Sequence, residues 1–200
     1  MRDDFVAYTI SVPERSKALQ IVTNEFAKNG VPQKVFMDKD HKGQPWNYSR
    51  LLINACNSKE NKGKHIFTST DDILFLEGWF DKANEIIDKT DYDVVTFFTN
   101  LKYRPDDVCG IKKACQNWWM YDVLVLFRKG VLNEEFLMDF MQFCTRKDVH
   151  QMERKHYDNM MSHYLYSKGY KCGIVRPNYV ELQNVKSVLG HSIKDSNKRR

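Results

Sequence analysis

Across the first hundred residues, short β-branched or aromatic runs alternate with longer stretches of helical periodicity, and few folds satisfy that alternation. Residues 5–12 (FVAYTISV) end at Pro13, as a buried strand does when the next residue lacks an N–H for the ladder. Residues 14–28 carry Leu19, Val22, Phe26 and Ala27 on one helical stripe. Asn29-Gly30 closes that helix, and Pro32 stops it resuming. Residues 33–37 (QKVFM) read as a second strand running into Asp38, followed by a polar loop over 41–45. Residues 48–57 place Leu51, Leu52 and Ala55 on one helical face, and residues 58–64 break the pattern. A third strand covers 65–68 (HIFT), an amphipathic helix 78–89, and a fourth strand 93–98 (DVVTFF). Strands joined through helices pair in parallel, and the crossover helices cover the sheet. The order therefore predicts an α/β domain with a mainly parallel central sheet and helices on both faces.

From Tyr103 the pattern changes. Residues 103–117 read as polar loop, 118–127 (WWMYDVLVLF) as a strand or two, and 134–143 and 153–168 as helices, the second capped by Gly169. A late strand covers 172–175 (CGIV), before Pro177-Asn178 and the tail. There is no internal repeat and no low-complexity linker. With 200 residues, 42% of them hydrophobic, one domain with a substantial core is the natural count. No apolar run approaches the roughly 18 residues that span a bilayer. The opening MRDDFVAYTI lacks the apolar stretch of a signal peptide, so a cytoplasmic location is expected. Cys56, Cys109, Cys115, Cys144 and Cys172 are dispersed with no C-x-x-C pair, and read as reduced, buried thiols.

Chemistry concentrates at Thr70-Asp71-Asp72, which follows the third strand and precedes the apolar run Ile73-Leu74-Phe75-Leu76. In open α/β sheets, ligands bind beyond the carboxyl ends of the strands. Two adjacent carboxylates repel each other there, and a divalent cation relieves the repulsion. Hard oxygen donors suit Mg2+ or Mn2+, which bind through one or two carboxylates plus substrate phosphates. An Asp-Asp pair alone is weak evidence and more often marks a loop or helix cap. Its place in the strand-helix series favours the metal.

Several segments around this motif resemble the GT-A glycosyltransferases, particularly small phage and bacterial members related to lipopolysaccharide-type transferases. Residues 8–16 (YTISVPERS) are similar to their first strand and the Arg-bearing turn after it. Residues 30–32 (GVP) with 35–38 (VFMD) resemble their second strand, and 47–55 (NYSRLLINA) the helix before the metal motif. Residues 65–75 (HIFTSTDDILF) resemble the strand and acidic motif, and 177–181 (PNYVE) with 187–191 (SVLGH) the closing segment. The resemblance implies a GT-A-like domain over 1–191, its donor-binding part at about 1–100 and its acceptor side at about 101–191, with a basic tail at 192–200. It implies a nucleotide-sugar donor, UDP- or GDP-linked, with Mn2+ or Mg2+. Asp72 would bind the metal and Asp71 the metal or the ribose, with His191 as a late ligand. The family writes its motif Asp-x-Asp or Asp-Asp; Thr70 in first place departs from that.

Other roles follow from what such a reaction needs. Arg15 and Lys17 are placed to clasp a diphosphate, or else mark a solvated helix start. Asp38 is a candidate for hydrogen bonds to base or ribose, or a turn residue. A general base beside the acceptor hydroxyl is assigned to Asp158, with His156 and Glu153 as rivals and a charged helical face as the alternative. Trp118 and Trp119 offer an acceptor wall by stacking, or a place in the core; Trp46 with Asn47 similarly flanks the donor.

The net charge of +5 suits a polyanion or a phosphate-bearing substrate, although part of it sits in the tail at 194–200 (KDSNKRR). A DNA acceptor carrying hydroxymethylated bases would join the two, with the protein then in a host cytoplasm if phage-encoded. The competing classes are a nucleic-acid-binding protein without activity, using Trp118, Trp119, Tyr157 and Tyr164 for stacking, and a nucleotidyltransferase. The 26 acidic residues weaken the first, and the lack of a Gly-rich phosphate loop near the first strand weakens the second.

Overall fold

The computed structural model describes residues 4–98, 110–113, 123–146 and 157–183. The chain is α/β, built on a seven-stranded sheet. Strand β1 (Phe5–Ser11) is buried along its whole length and pairs in parallel with β2 (Gln33–Met37) on one side and β3 (His65–Thr70) on the other. Beyond β3 comes β7 (Leu124–Phe127), antiparallel to it, then β5 (Val94–Thr96), antiparallel to β7. β8 (Cys172–Arg176) pairs in parallel with β5, and β6 (Gly110–Lys113) closes the edge antiparallel to β8. Five of the seven strands (β1, β2, β3, β5, β8) thus run one way, and β6 and β7 run against them. The expectation of a mainly parallel sheet holds. The reversed strand β7, slotted between β3 and β5, was not foreseen, and β6 lies within the stretch read as loop.

Helices cover both faces, and strand alternation sorts the core accordingly. Val6, Tyr8 and Ile10 of β1, with Val125 and Phe127 of β7, pack beneath α2 (Gln44–Asn57), α4 (Glu134–Thr145) and α5 (Tyr157–Ser167). Phe5, Ala7, Phe67, Leu124 and Leu126 point the other way, against Val22 and Phe26 of α1 (Ser16–Lys28) and Trp79, Ala83 and Ile86 of α3 (Trp79–Lys89). Trp79 anchors this second layer, donating its indole N–H to Glu25 Oε1 at 2.9 Å.

Local chemistry sets the helix ends. α2 starts at Gln44, four residues earlier than its apolar stripe, because Gly43 takes φ +96° and Pro45 sits in the first turn, where its missing N–H costs nothing. α4 is capped by Asn133, whose side chain accepts the Phe136 N–H. A two-stranded ribbon of β4 (Ile73–Phe75) and β9 (Val180–Leu182) follows the acidic motif; Ile73 pairs with Leu182. Among the described residues no helix is long and apolar enough to cross a membrane.

Candidate functional site

The site grows from the pairing of β1 with β3. Their register sets Thr9 beside Ser69 and Ile10 beside Thr70, so the next residues, Ser11 and Asp71, meet where both strands end. Ser11 Oγ donates to Asp71 Oδ2 at 2.6 Å, and the Val12 N–H reaches the same oxygen at 3.4 Å. A single 3-10 turn, Pro13–Arg15, then carries the chain into α1 and leaves Arg15 at its entrance. From there Arg15 Nη1 donates to Asp71 Oδ1 and Asp72 Oδ2, both at 3.0 Å. One guanidinium therefore bridges both carboxylates.

The two carboxylates differ in setting. Asp71 is 3% exposed, whereas the Asp72 side chain keeps 22% of its surface open. Burial pushes the Asp71 carboxyl above its ordinary range; the Ser11 and Arg15 hydrogen bonds and the Arg15 charge pull it down without cancelling the rise, and Asp72 adds to it. Behind Asp71 the strand ends are polar as well: Thr9 and Ser69 share a 2.8 Å hydrogen bond, and Gln33 Nε2 donates to Thr9 Oγ1 at 2.7 Å.

Asp38 directly follows β2, its N–H on the Ser11 carbonyl at 2.8 Å; it is 2% exposed and accepts the Lys42 N–H at 3.0 Å and the Gly43 N–H at 2.8 Å. It braces the loop into α2, as a turn residue does. Asn47 is also buried and donates to the Phe36 carbonyl at 2.7 Å and the Ser11 carbonyl at 3.3 Å, tying α2 to β1 and β2. Trp46 carries the Lys42 ammonium and the Arg50 guanidinium, each 4.6 Å from its ring centroid. Lys17 is exposed on the first turn of α1.

Asp158 lies in the first turn of α5, its Oδ1 accepting the Asn159 N–H at 3.0 Å. It belongs to the α2–α4–α5 layer, while Arg15 opens a helix of the other layer. The start of α5 is tied to β3 on this face: Tyr157 packs its ring 4.0 Å from that of Tyr48, whose hydroxyl bonds Thr68 at 2.8 Å. Trp118, Trp119 and His191, with the rival bases Glu153 and His156, lie outside the described residues.

Two contributors carry no sequence signal. Ser11 is one serine in a strand, and only the β1–β3 register shows what it faces. Gln183 donates its backbone N–H to the Asp72 carbonyl at 2.6 Å and its side-chain amide to the Ile73 carbonyl at 2.7 Å. It fixes the end of β9 to the acidic motif.

No cluster of three or more His, Cys, Asp or Glu residues forms among the described residues. Asp71 and Asp72 offer hard oxygens only, and Arg15 demonstrates that the pair holds a cation. Such a donor set fits a Mg2+- or Mn2+-sized ion that takes its other ligands from water and phosphate.

Fold and site together define an α/β protein with an acidic pair, cation-bridged, at the carboxyl edge of its sheet. No protein-family model matches the chain, and no curated protein matches it. Among solved structures it is similar to the catalytic domain of Drosophila beta1,4galactosyltransferase 7, solved as a complex with xylobiose. The identity is 14%, the match covers 98% of this chain and 80% of that one, and the TM-score is 0.43.

Proposed function

We propose that the chain is a metal-dependent glycosyltransferase of GT-A type, moving a sugar from a nucleoside-diphosphate sugar to an acceptor hydroxyl. The observation that carries this is the place of Asp71 and Asp72, one step past the end of β3 beside the end of β1, with Arg15 reaching both at 3.0 Å. Ligands of open α/β sheets collect at that edge, and a diphosphate needs both cations and N–H donors.

Asp72, the more open carboxylate, is the principal metal ligand, and Asp71 fixes Arg15 and lines the ribose side. His191, on the segment that leaves from Gln183, supplies a further ligand. The ion's contribution is to neutralise charge on the leaving diphosphate. Arg15 and Lys17 hold the phosphates, and Asp38 shapes the base side through its loop. Trp118 and Trp119 stack on the acceptor. The acceptor oxygen attacks the anomeric carbon while Asp158 takes its proton. The bond from that carbon to the phosphate oxygen breaks, and its electron pair leaves with the nucleoside diphosphate.

Thermal unfolding with UDP or GDP plus Mn2+ tests this. Saturation at about a hundred times Kd adds about 2.7 kcal/mol of stability; Asp72→Ala should abolish the metal-dependent part and leave the fold intact. A nucleic-acid binder without activity gives no such shift, and a nucleotidyltransferase releases pyrophosphate from a nucleoside triphosphate instead of a nucleoside diphosphate from a nucleotide sugar. The acceptor screen includes duplex DNA with hydroxymethylated bases, because the net charge of +5 favours a polyanion.

A further inference from the structure

Arg15 occupies the electrostatic place that a divalent ion would take. Its Nη1 stands 3.0 Å from Asp71 Oδ1 and 3.0 Å from Asp72 Oδ2, and its side chain is only 14% exposed. A dication bound at Asp72 would sit within a few ångströms of that guanidinium, and with two like charges so close in a partly buried site, repulsion opposes the ion. Asp71 has little freedom to respond, because its other oxygen is held by Ser11 at 2.6 Å. Arg15 leads from the 3-10 turn at the mouth of α1, and its contact with Asp72, whose side chain is 22% exposed, is the one a ligand can compete for.

We propose that Arg15 makes divalent-ion binding conditional on the anionic donor. In the empty site the guanidinium neutralises the carboxylate pair and keeps free metal out. A nucleoside diphosphate gives Arg15 a second anion, turns it from Asp72 toward phosphate, and brings negative charge of its own to the ion. Metal and nucleotide therefore bind cooperatively, each tightening the other by the same factor. This rests on the glycosyltransferase reading, in which Asp72 is the metal ligand, and adds a binding order that the paired carboxylates alone would not impose.

The test counts free Mn2+ by electron paramagnetic resonance in titrations of the full chain, with and without UDP or GDP. The wild type should bind Mn2+ weakly alone and at least tenfold more tightly with nucleotide. Arg15→Gln, which keeps length but drops the charge, should bind Mn2+ alone about tenfold more tightly than wild type and lose most of the nucleotide coupling. Arg15→Lys, which keeps a cation, should resemble wild type in nucleotide-free Mn2+ binding; circular dichroism confirms that both variants are folded. If wild type takes up Mn2+ with nucleotide in an Asp72-dependent way but Arg15→Gln leaves nucleotide-free Mn2+ binding unchanged, the conditional role of Arg15 is refuted and the functional reading stands. If wild type binds no Mn2+ even with nucleotide, both fall together.

Discussion

Ser11 and Asp71, sixty positions apart, share a 2.6 Å hydrogen bond at the point where β1 and β3 run out. A carboxylate buried to 3% exposure depends on such donors, since stripping one leaves charge uncompensated. Ser11→Ala should therefore cost about 1.5–3 kcal/mol, the range for a hydrogen bond to a charged group. Urea unfolding reads it as a lower midpoint with an unchanged slope.

The raised pKa of Asp71 sets a pH signature. A carboxyl whose folded pKa lies above its unfolded value adds stability that is fully present below the unfolded value, about 3.9. That stability is lost as pH climbs through the folded value. Asp71→Asn removes the titration. In metal-free buffer the variant should gain on wild type in Tm as pH rises above about 4, and hold its advantage once the wild-type carboxyl is ionised. A difference that stays flat or shrinks over that window would show that burial is not what governs this carboxylate.

Much of this was legible in the sequence, for identifiable reasons. β1 and β2 were readable because apolar β-branched runs end at a proline or a charged turn, and the span of β2 at Gln33–Met37 matches the sequence expectation residue for residue. The acidic motif could be placed because it follows a strand. β7 was visible as an apolar run, but its direction and its seat between β3 and β5 depend on contacts far apart in the chain, which no local period encodes. β4 and β9 have three residues each, too few to show alternation. Asp38 shows a different limit: an aspartate at a strand end reads alike as ligand and as turn brace, and only the N–H groups of Lys42 and Gly43 reveal the brace.

The cysteines give a chemical check. Burial pushes the thiols of Cys56 and Cys172 up to about 12 and that of Cys144 to about 11, leaving almost no thiolate at neutral pH. Iodoacetamide at pH 7.5 should leave these three unmodified in the folded protein and alkylate them in urea, with mass spectrometry locating the adducts. Labelling of Cys56 under native conditions would mean that α2 opens readily.

Gln183 makes the role of the closing segment testable. Its N–H on the Asp72 carbonyl anchors Gln183 at the acidic motif, and the proposed ligand His191 lies eight positions further along the sequence. His191→Ala should weaken Mn2+ binding in the presence of UDP or GDP by about 10- to 100-fold and leave Tm without metal unchanged. Ending the chain after His191 should preserve that binding. Equal loss in both variants would assign the effect to the tail's charge.

Arg128 provides the converse case, a residue that matters to the fold and not to the site. It follows β7, which runs against β3, so it lies at the end of the sheet away from Asp71. There its guanidinium donates to the carbonyls of Ile86 and Ile87 in the last turn of α3 and of Thr90 and Tyr92 just beyond it, tying the helix end to β7. Arg128→Ala strips several acceptors at once and should cost about 2–4 kcal/mol, in the upper part of the range for single substitutions. Nucleotide-dependent Mn2+ binding at a temperature where the variant is folded should match wild type. Loss of stability with the nucleotide coupling intact is what separates a scaffold contact from the Arg15 bridge, where it is the coupling that is expected to fall.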